Sequence, residues 1–221
     1  MPVSESVLAD LYPRLYHMAE RGSWPSICQH GLLSTSALLD LYEVDGEQRA
    51  QLEAAHRPES VEISHPRHGR AVIRDQKPMD DRGLRRALTD GLTPAEWYRI
   101  LNDKVFFWLT EKRLNTLLGA RAYRKLRHDV LVVDTRKLLS KHAQRVVLSP
   151  MNSGATKPMP FKRGRSTFLA MDEYPFDERK SSGKDPVAEL AVRGSVPDIS
   201  NFVIRVYEAG AGAPPVTLWE P

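Results

Sequence analysis

Short apolar runs rich in β-branched and aromatic residues recur through the second half of the chain, and they restrict its fold more than any other feature. Runs of this length, bounded by polar or turn-forming residues, are typical of buried strands. They are "VFFWL" at 105–109, "DVLVVD" at 129–134, "RVVLSP" at 145–150, "VAELAV" at 187–192 and "NFVIRV" at 201–206. Segments with helical periodicity separate them, so the sequence predicts an α+β fold.

Helical patterns occupy most of the first half of the chain. Residues 4–21 predict an amphipathic helix, or a helix that runs into a strand near "LYHM". The stretch "SWPSICQHGLLSTSALLDLY" predicts two short helices, the first ending at Gly31 and the second running from about Ser36 to Tyr42. Residues 43–77 predict a helix followed by an exposed basic loop with a brief strand at Ala71 to Ile73.

Two later helices begin at residues suited to capping. Thr93 precedes Pro94 in "TPAEWYRILNDK", which places a threonine at the N-cap and proline at the first helical position. The helix in "TEKRLNTLLGARAYRKLR" begins near Thr110 or Glu111 and carries basic residues towards its end, where the helix dipole favours them.

The length of 221 residues is enough for one domain with a substantial core. We assign residues 1–208 to a single domain. Residues 209–221, "AGAGAPPVTLWEP", are rich in Gly, Ala and Pro and are predicted to form a tail that docks only through Trp219.

Composition excludes some classes of protein and leaves others open. No apolar run approaches the roughly 18 residues of a membrane span. The N-terminus lacks a signal-peptide pattern and the single cysteine, Cys28, cannot form an internal disulfide, so we expect a cytoplasmic protein without a membrane partner. A net charge of +4 permits a polyanionic partner without requiring one.

The common metal and nucleophile motifs are absent from the sequence. It contains no C-x-x-C and no H-E-x-x-H, and His65 with His68 in "SHPRHG" lacks further matched ligands, so no metal is expected. Nucleophile-elbow and phosphate-loop signatures are also missing. Cys28 in "SICQHGLL" lies at a helical position that predicts packing rather than reactivity.

One acid, Glu189, lies inside the otherwise apolar strand of "VAELAV". Strand alternation places Val187, Glu189 and Ala191 on one face, which is the less apolar one. The carboxylate is therefore either an ordinary solvent-facing residue or a group that the protein uses.

Three segments, taken in order, resemble the DarT-type ADP-ribosyltransferases. They are "LYHMAERGSWPSICQHGLLSTSALL", "VFFWLTEKRLNTLL" and "VAELAVRGSVPDISNFVIRV". Members of that family have a histidine-bearing strand, a helix ending in "hGL" before a serine-bearing segment, an aromatic strand leading to an arginine, and an "aE-aliphatic-V" strand. The resemblance covers about half of the chain.

The resemblance implies a split mixed or antiparallel sheet around an NAD cleft, flanked by short helices. NAD would be the co-substrate and Glu189 the catalytic residue. The residues that it implies for NAD binding are His17, Gly31, Ser34, Thr35, Phe107 and Arg113.

The chemistry of these side chains suits the implied roles. An acid can stabilise the ribosyl cation that forms when the nicotinamide bond breaks, or deprotonate the acceptor. Histidine can bond ribose hydroxyls and arginine can bind a diphosphate through two contacts. Ser34 and Thr35 could instead cap the next helix, and the aromatic residues of the "VFFWL" strand, Phe107 among them, could be core residues.

We therefore expect an NAD-dependent transferase that passes ADP-ribose to an acceptor and releases nicotinamide. The basic segments favour DNA or RNA as the acceptor, ahead of a protein side chain. The alternative is a non-catalytic module with the same fold that binds nucleic acid or a protein through the basic loop at 65–77. Arg74, Asp75 and Gln76 could face a substrate or form internal salt bridges, and we favour salt bridges.

Overall fold

The computed structural model describes residues 2–183 and 185–221. Over these ranges, none of the helices has the length and apolar character that crossing a membrane requires. The helices, in chain order, are α1 Glu5–Leu11, α2 Trp24–His30, α3 Thr35–Leu41, α4 Gly46–Ala54, α5 Asp81–Ala87, α6 Pro94–Asn102, α7 Glu111–Leu118, α8 Thr135–His142 and α9 Phe176–Ser181.

The strands are short, as the apolar runs predicted. In chain order they are β1 Arg14–Glu20, β2 Leu32–Leu33, β3 Val61–His65, β4 Gly69–Ile73, β5 Lys104–Trp108, β6 Arg127–Asp134, β7 Val146–Ser149, β8 Leu169–Ala170, β9 Glu189–Arg193, β10 Ser195–Val196, β11 Val203–Gly210 and β12 Ala213–Trp219. The α+β class predicted from the sequence is confirmed.

The main sheet has eight strands in the order β12-β11-β6-β1-β5-β9-β7-β8, and its neighbouring strands run antiparallel. The middle of this sheet is split. β1 pairs with β6 along its whole length, but over the described residues it pairs with β5 at one position, Tyr16 opposite Trp108. Beyond that position β1 and β5 separate, and the gap between them leads into a cleft.

Side chains from the two faces of this sheet belong to different hydrophobic clusters. Leu131 and Leu190 are buried in a cluster that also contains residues of α1, α2 and α8. Their neighbours Val130 and Ala191 belong to two other clusters, one with α7 and one with α6. Successive strand residues point to opposite faces of a sheet, so these clusters lie on opposite faces and helices cover both sides of the sheet.

The N-terminal segment folds as a helix that runs into a strand, which confirms that alternative for residues 4–21. Ser4 caps α1, since its hydroxyl accepts a bond from the backbone N–H of Val7. Tyr12 then ends the helix and β1 begins at Arg14, which brings "LYHM" into the middle of the sheet. His17 is thereby positioned beside the split.

The basic segment at 65–77 is more ordered than predicted. β3 and β4 form an antiparallel hairpin, with Val61 opposite Ile73 and His65 opposite Gly69. Ile63 and Ile73 are buried in a small cluster together with residues of α3 and α4. The expectation of an irregular loop with one brief strand is wrong, because β3 supplies a partner for that strand and both strands gain apolar contacts.

The C-terminal segment is a strand of the main sheet. β12 pairs antiparallel with β11 after a turn at Gly210 to Gly212, and the ring of Trp219 lies 5.5 Å from that of Trp24. The prediction of a tail docked only through Trp219 is wrong. Without β12 the outer edge of β11 would expose its unpaired backbone groups, and β12 satisfies them.

Cys28 lies on the exposed side of α2, so the packing predicted for this helical position is wrong. On this short helix the buried side chains are Trp24 and Ile27, which share one face. Cys28 directly follows Ile27 and therefore points about 100° away from that face.

Candidate functional site

A cleft of about 480 Å³ lies beside the separation of β1 and β5. Its walls come from β1, the segment between α2 and α3, the β3–β4 hairpin with the residues after it, β5, and a loop that follows β7. Six of the seven residues assigned from the sequence line it: His17, Gly31, Ser34, Thr35, Phe107 and Glu189. These residues come from distant parts of the chain.

His17 bridges the gap between the separating strands. Its Nδ1 lies 2.8 Å from the carbonyl oxygen of Phe106 on β5, and since a carbonyl only accepts, Nδ1 carries the proton. Burial, together with the charge of Arg74, lowers the pKa of His17 to about 4, so the ring is neutral near pH 7. In the described part of the chain Nε2 has no hydrogen-bond partner and is free to accept one.

Glu189 opens β9, opposite Trp108 on one side and Ser149 on the other. Its side chain is only 4% exposed, so the solvent-facing alternative is wrong. Oε2 accepts two hydrogen bonds from Ser153, 3.1 Å from the backbone nitrogen and 2.6 Å from the hydroxyl oxygen. Within the described ranges Oε1 has no hydrogen-bond partner, and Glu189 is among the residues that line the cleft.

The pKa of Glu189 is raised to about 7. Burial is the largest cause, because it disfavours the charged form. The two hydrogen bonds from Ser153 oppose the rise, as do the positive charges of Arg113 and Arg163. The carboxyl group therefore changes charge close to neutral pH, a property often found in groups that take part in catalysis.

Ser153 and Arg163 support Glu189, and sequence reasoning did not identify either of them. Arg163 is 2% exposed and donates to the carbonyl oxygens of Ser153, at 2.8 Å, and of Ala155, at 2.7 Å. It fixes the loop after β7 in the conformation that presents Ser153 to the carboxylate. The sequence signal that could have pointed to Ser153 is an Asn-Ser-Gly step directly after a predicted strand.

The segment from Gly31 to Thr35 passes close to another loop. Gly31 has φ +81°, and a Cβ atom there would lie 2.4 Å from Cα of Pro197. Ser34 caps α3, since its hydroxyl oxygen accepts a bond from the backbone nitrogen of Ala37 at 3.1 Å. The capping role is therefore confirmed for Ser34, whereas Thr35 is the first residue of α3 and faces the cleft.

The aromatic residues of β5 divide between core and cleft. Phe107 is 1% exposed and belongs to the main hydrophobic cluster, which agrees with the core alternative. Its ring makes an edge contact with that of His17, with 5.8 Å between centroids, and so helps to orient the histidine. Phe106 and Trp108 also line the cleft and are less buried, so they offer more ring surface to a ligand.

Arg113 lies near the start of α7, as predicted, but the fold does not bring it to the cleft. Its Nε and Nη2 each lie 3.0 Å from a carboxylate oxygen of Asp185. Four arginines line the cleft, namely Arg21, Arg57, Arg70 and Arg74. Arg74, which follows β4, is the one whose charge acts on His17. The salt bridge favoured for Arg74 is not formed with any residue of 2–183 or 185–221.

Other cations of the basic segment are paired with acids. Arg67 lies 2.6 Å from Glu43, Lys77 lies 2.8 Å from Glu59, and Arg70 pairs with Glu62. These contacts reduce the free positive charge of the hairpin that the alternative binding-module hypothesis requires. In the described residues no group of three or more His, Cys, Asp or Glu side chains is arranged to hold a metal ion.

The fold and the cleft together define an α+β protein with an antiparallel sheet that is split between β1 and β5 and a buried carboxyl group in the adjoining cleft. The chain belongs to the family of unknown function DUF7002, whose model matches residues 13–203. That range includes both His17 and Glu189. A comparison with curated proteins gives no significant match.

The raised pKa of Glu189 predicts that the protein becomes less stable as the pH rises towards neutrality. The folded protein holds this proton more tightly than the unfolded chain, so the free energy of unfolding falls as pH rises from about 4.5 to about 7. In the variant Glu189→Gln this loss is absent, and its amide oxygen can still accept from Ser153. The stability of the variant relative to wild type should therefore increase by on the order of 2–3 kcal/mol between pH 4.5 and pH 8.

Urea denaturation of both proteins at several pH values measures this difference, and the titration of other groups cancels in the comparison. A difference that stays constant across this range would show that Glu189 titrates normally.

Proposed function

We propose that this protein is an NAD-dependent ADP-ribosyltransferase. The observation that carries the proposal is the meeting of Glu189 and His17 in one cleft, the first with a buried carboxyl group and the second as a neutral hydrogen-bond acceptor. Gly31, Ser34, Thr35 and Phe107 complete the set of lining residues that the resemblance to DarT-type enzymes implies. The split antiparallel sheet also agrees with that resemblance.

In the proposed reaction, the bond between nicotinamide and C1′ of its ribose breaks. Nicotinamide leaves with the bonding electron pair, the acceptor forms a new bond to C1′, and the acceptor's proton passes to a base. Positive charge develops on the ribose as the bond breaks, and an ionised Glu189 stabilises it at short range in the low dielectric of the cleft. The same carboxylate can take the acceptor's proton, since its pKa of about 7 suits a general base.

His17 and the aromatic residues of β5 have binding roles in this proposal. The free Nε2 of His17 accepts a hydrogen bond from a ribose hydroxyl, and its tautomer is fixed by the bond to the Phe106 carbonyl. Phe106 or Trp108 offers a ring face on which the nicotinamide can stack.

The acceptor that we propose is a nucleic acid. The loop after Ser153 exposes Met159 and Phe161, which are 62% and 61% accessible, and it carries exposed cations that include Lys162 and Arg165. An exposed aromatic ring among cations suits single-stranded nucleic acid, whose bases stack and whose phosphates pair with cations. This loop begins at the residue that holds Glu189.

The test uses NAD labelled in its adenylate half, incubated with the protein and separately with single-stranded DNA, RNA, a protein extract or buffer alone. We expect label on a nucleic acid together with free nicotinamide. Label on protein would support the same class of enzyme but show that its acceptor is a protein instead of a nucleic acid. No release of nicotinamide under any of these conditions would exclude the proposed reaction.

Substitution of His17 should weaken NAD binding more than it slows the reaction. His17→Ala removes a hydrogen bond present in both the ground state and the transition state, so the KM for NAD should rise by about 5- to 10-fold with kcat little changed. Steady-state kinetics on folded protein measures both constants. The comparison variant is Arg113→Gln. The resemblance assigns Arg113 to NAD, but it does not line the cleft, so the KM for NAD should stay at the wild-type value, whereas kcat can change because the charge of Arg113 acts on Glu189. The opposite ranking of the two variants would contradict the site as described.

A further inference from the structure

The guanidinium group of Arg74 lies in the wall of the cleft and is held in place by uncharged partners. Its Nη1 donates to the carbonyl oxygen of Met18 at 3.0 Å, and its central carbon lies 5.1 Å from the ring centroid of Tyr123. Met18 directly follows His17 on β1. Arg74 is thus fixed beside the histidine.

The charge of Arg74 is not neutralised by any acid of the described chain within ion-pair distance. The adjacent Asp75 directs its Oδ1 elsewhere, accepting from the hydroxyl of Tyr123 at 2.8 Å and from the backbone nitrogen of Lys77 at 3.1 Å. This contrasts with Arg67 and Arg70 of the same hairpin, which pair with Glu43 and Glu62.

One donor of Arg74 also lacks a partner. Its Nε is buried and makes no hydrogen bond within residues 2–183 and 185–221. A buried donor left unpaired is costly, and a cation without a counter-ion in a cleft is costly as well. An anion seated against the accessible part of the guanidinium would supply the missing counter-charge.

Most of the titratable groups around Arg74 are uncharged near pH 7, so they do not compensate its positive charge. His17 and His128 both have pKa values lowered to about 4, for which burial is the largest cause and the charge of Arg74 a further one, so both are neutral near pH 7. Tyr123 stays protonated, because burial and Asp75 raise its pKa. Asp75 is the acid nearest in sequence, and its bonds to Tyr123 and Lys77 partly satisfy its charge.

We propose that Arg74 is the anchor of a phosphate subsite in the cleft, and that its ligand is the diphosphate of a nucleotide. The planar fork of arginine matches two phosphate oxygens, which binds more tightly than a single contact. That the nucleotide is NAD rests on the proposed function, whereas the phosphate subsite itself does not. The role that the resemblance gives to Arg113 falls to Arg74, since Arg113 is paired with Asp185 outside the cleft.

The test is calorimetric titration of the full chain with ADP-ribose, inorganic pyrophosphate and adenosine. Wild type should bind ADP-ribose and pyrophosphate, and Arg74→Gln should weaken both by about 10- to 100-fold while leaving adenosine unchanged. Arg74→Lys keeps the charge but loses the planar fork, so its affinity for ADP-ribose and pyrophosphate should lie between those of wild type and Arg74→Gln. Arg67→Gln removes the same charge from the same hairpin outside the cleft and should bind like wild type.

A second measurement avoids substitution altogether, because loss of the bond to Met18 could impair folding. Wild type is treated with phenylglyoxal, and modified arginines are identified by mass spectrometry with and without pyrophosphate. Protection of Arg74 but not of Arg67 would support the subsite.

The possible outcomes separate this proposal from the proposed function. Binding of pyrophosphate that depends on Arg74, without any binding of ADP-ribose, would support the subsite and count against NAD as the nucleotide. Binding of ADP-ribose at the wild-type affinity by a folded Arg74→Gln variant would overturn the subsite and leave the NAD cleft intact. Absence of binding by wild type to all phosphate-containing probes would overturn both.

Discussion

Glu189→Gln should lower the turnover of NAD by roughly two to three orders of magnitude, the usual effect of losing one well-placed electrostatic or acid–base group. Glutamine fills the same space, and its amide oxygen can accept the bonds that Ser153 donates to Glu189. It cannot carry the negative charge that opposes the developing ribosyl cation, nor take a proton. The affinity for NAD should change by no more than about twofold, since the charge is needed mainly in the transition state.

Nicotinamide release and calorimetric NAD titration measure these two quantities separately. Glu173→Gln is the matched control, because Glu173 is exposed and does not line the cleft. Turnover of folded Glu189→Gln protein at the wild-type rate would remove Glu189 from the reaction.

Gly31→Ala should destabilise the fold by roughly 3 to 5 kcal/mol, since it combines backbone strain with overpacking. Gly31 has φ +81° and ψ 175°, a conformation that is essentially restricted to glycine. A Cβ atom there would lie 2.4 Å from Cα and 2.8 Å from the carbonyl oxygen of Pro197, and neither backbone atom can yield easily.

Gly22→Ala provides the matched control. Gly22 also has a positive φ, +78°, but a Cβ atom there would meet nothing within 4 Å. The free energy of unfolding of Gly22→Ala should therefore fall by only about 1 kcal/mol, which is the cost of a positive φ at alanine. Urea denaturation or soluble yield with circular dichroism compares the two variants. Equal stabilities would mean that Pro197 does not pack against Gly31 as described.

Local patterns were enough to predict the class of fold and most of its elements. Signals that act over a few residues can be recognised from the sequence alone. Examples are the helix caps at Thr93 and Thr110 and the apolar strand at 105–109. The strand nature of residues 213–219 was missed, since their Gly, Ala and Pro content is unfavourable for a strand and their pairing depends on the open edge of β11.

The candidate site was predictable only in part, because its residues meet through long-range contacts. Glu189 was noticeable as the one acid of an otherwise apolar strand, but only the resemblance to a known family gave a role to it and to His17. Ser153 and Arg163 act through backbone groups of an irregular loop, which leaves no pattern in the sequence. Arg113 and Arg74 have equally plausible sequence contexts, and only the fold shows that Asp185 pairs with the first while the second faces the cleft.

The most direct test of the central claim is a crystal structure of Glu189→Gln protein soaked with NAD at millimolar concentration. The account predicts NAD in the cleft, with a ribose hydroxyl within hydrogen-bond distance of Nε2 of His17, the nicotinamide ribose beside residue 189, and the diphosphate against Arg74. NAD bound elsewhere on the protein, or a cleft without NAD in crystals that leave it accessible, would contradict the account.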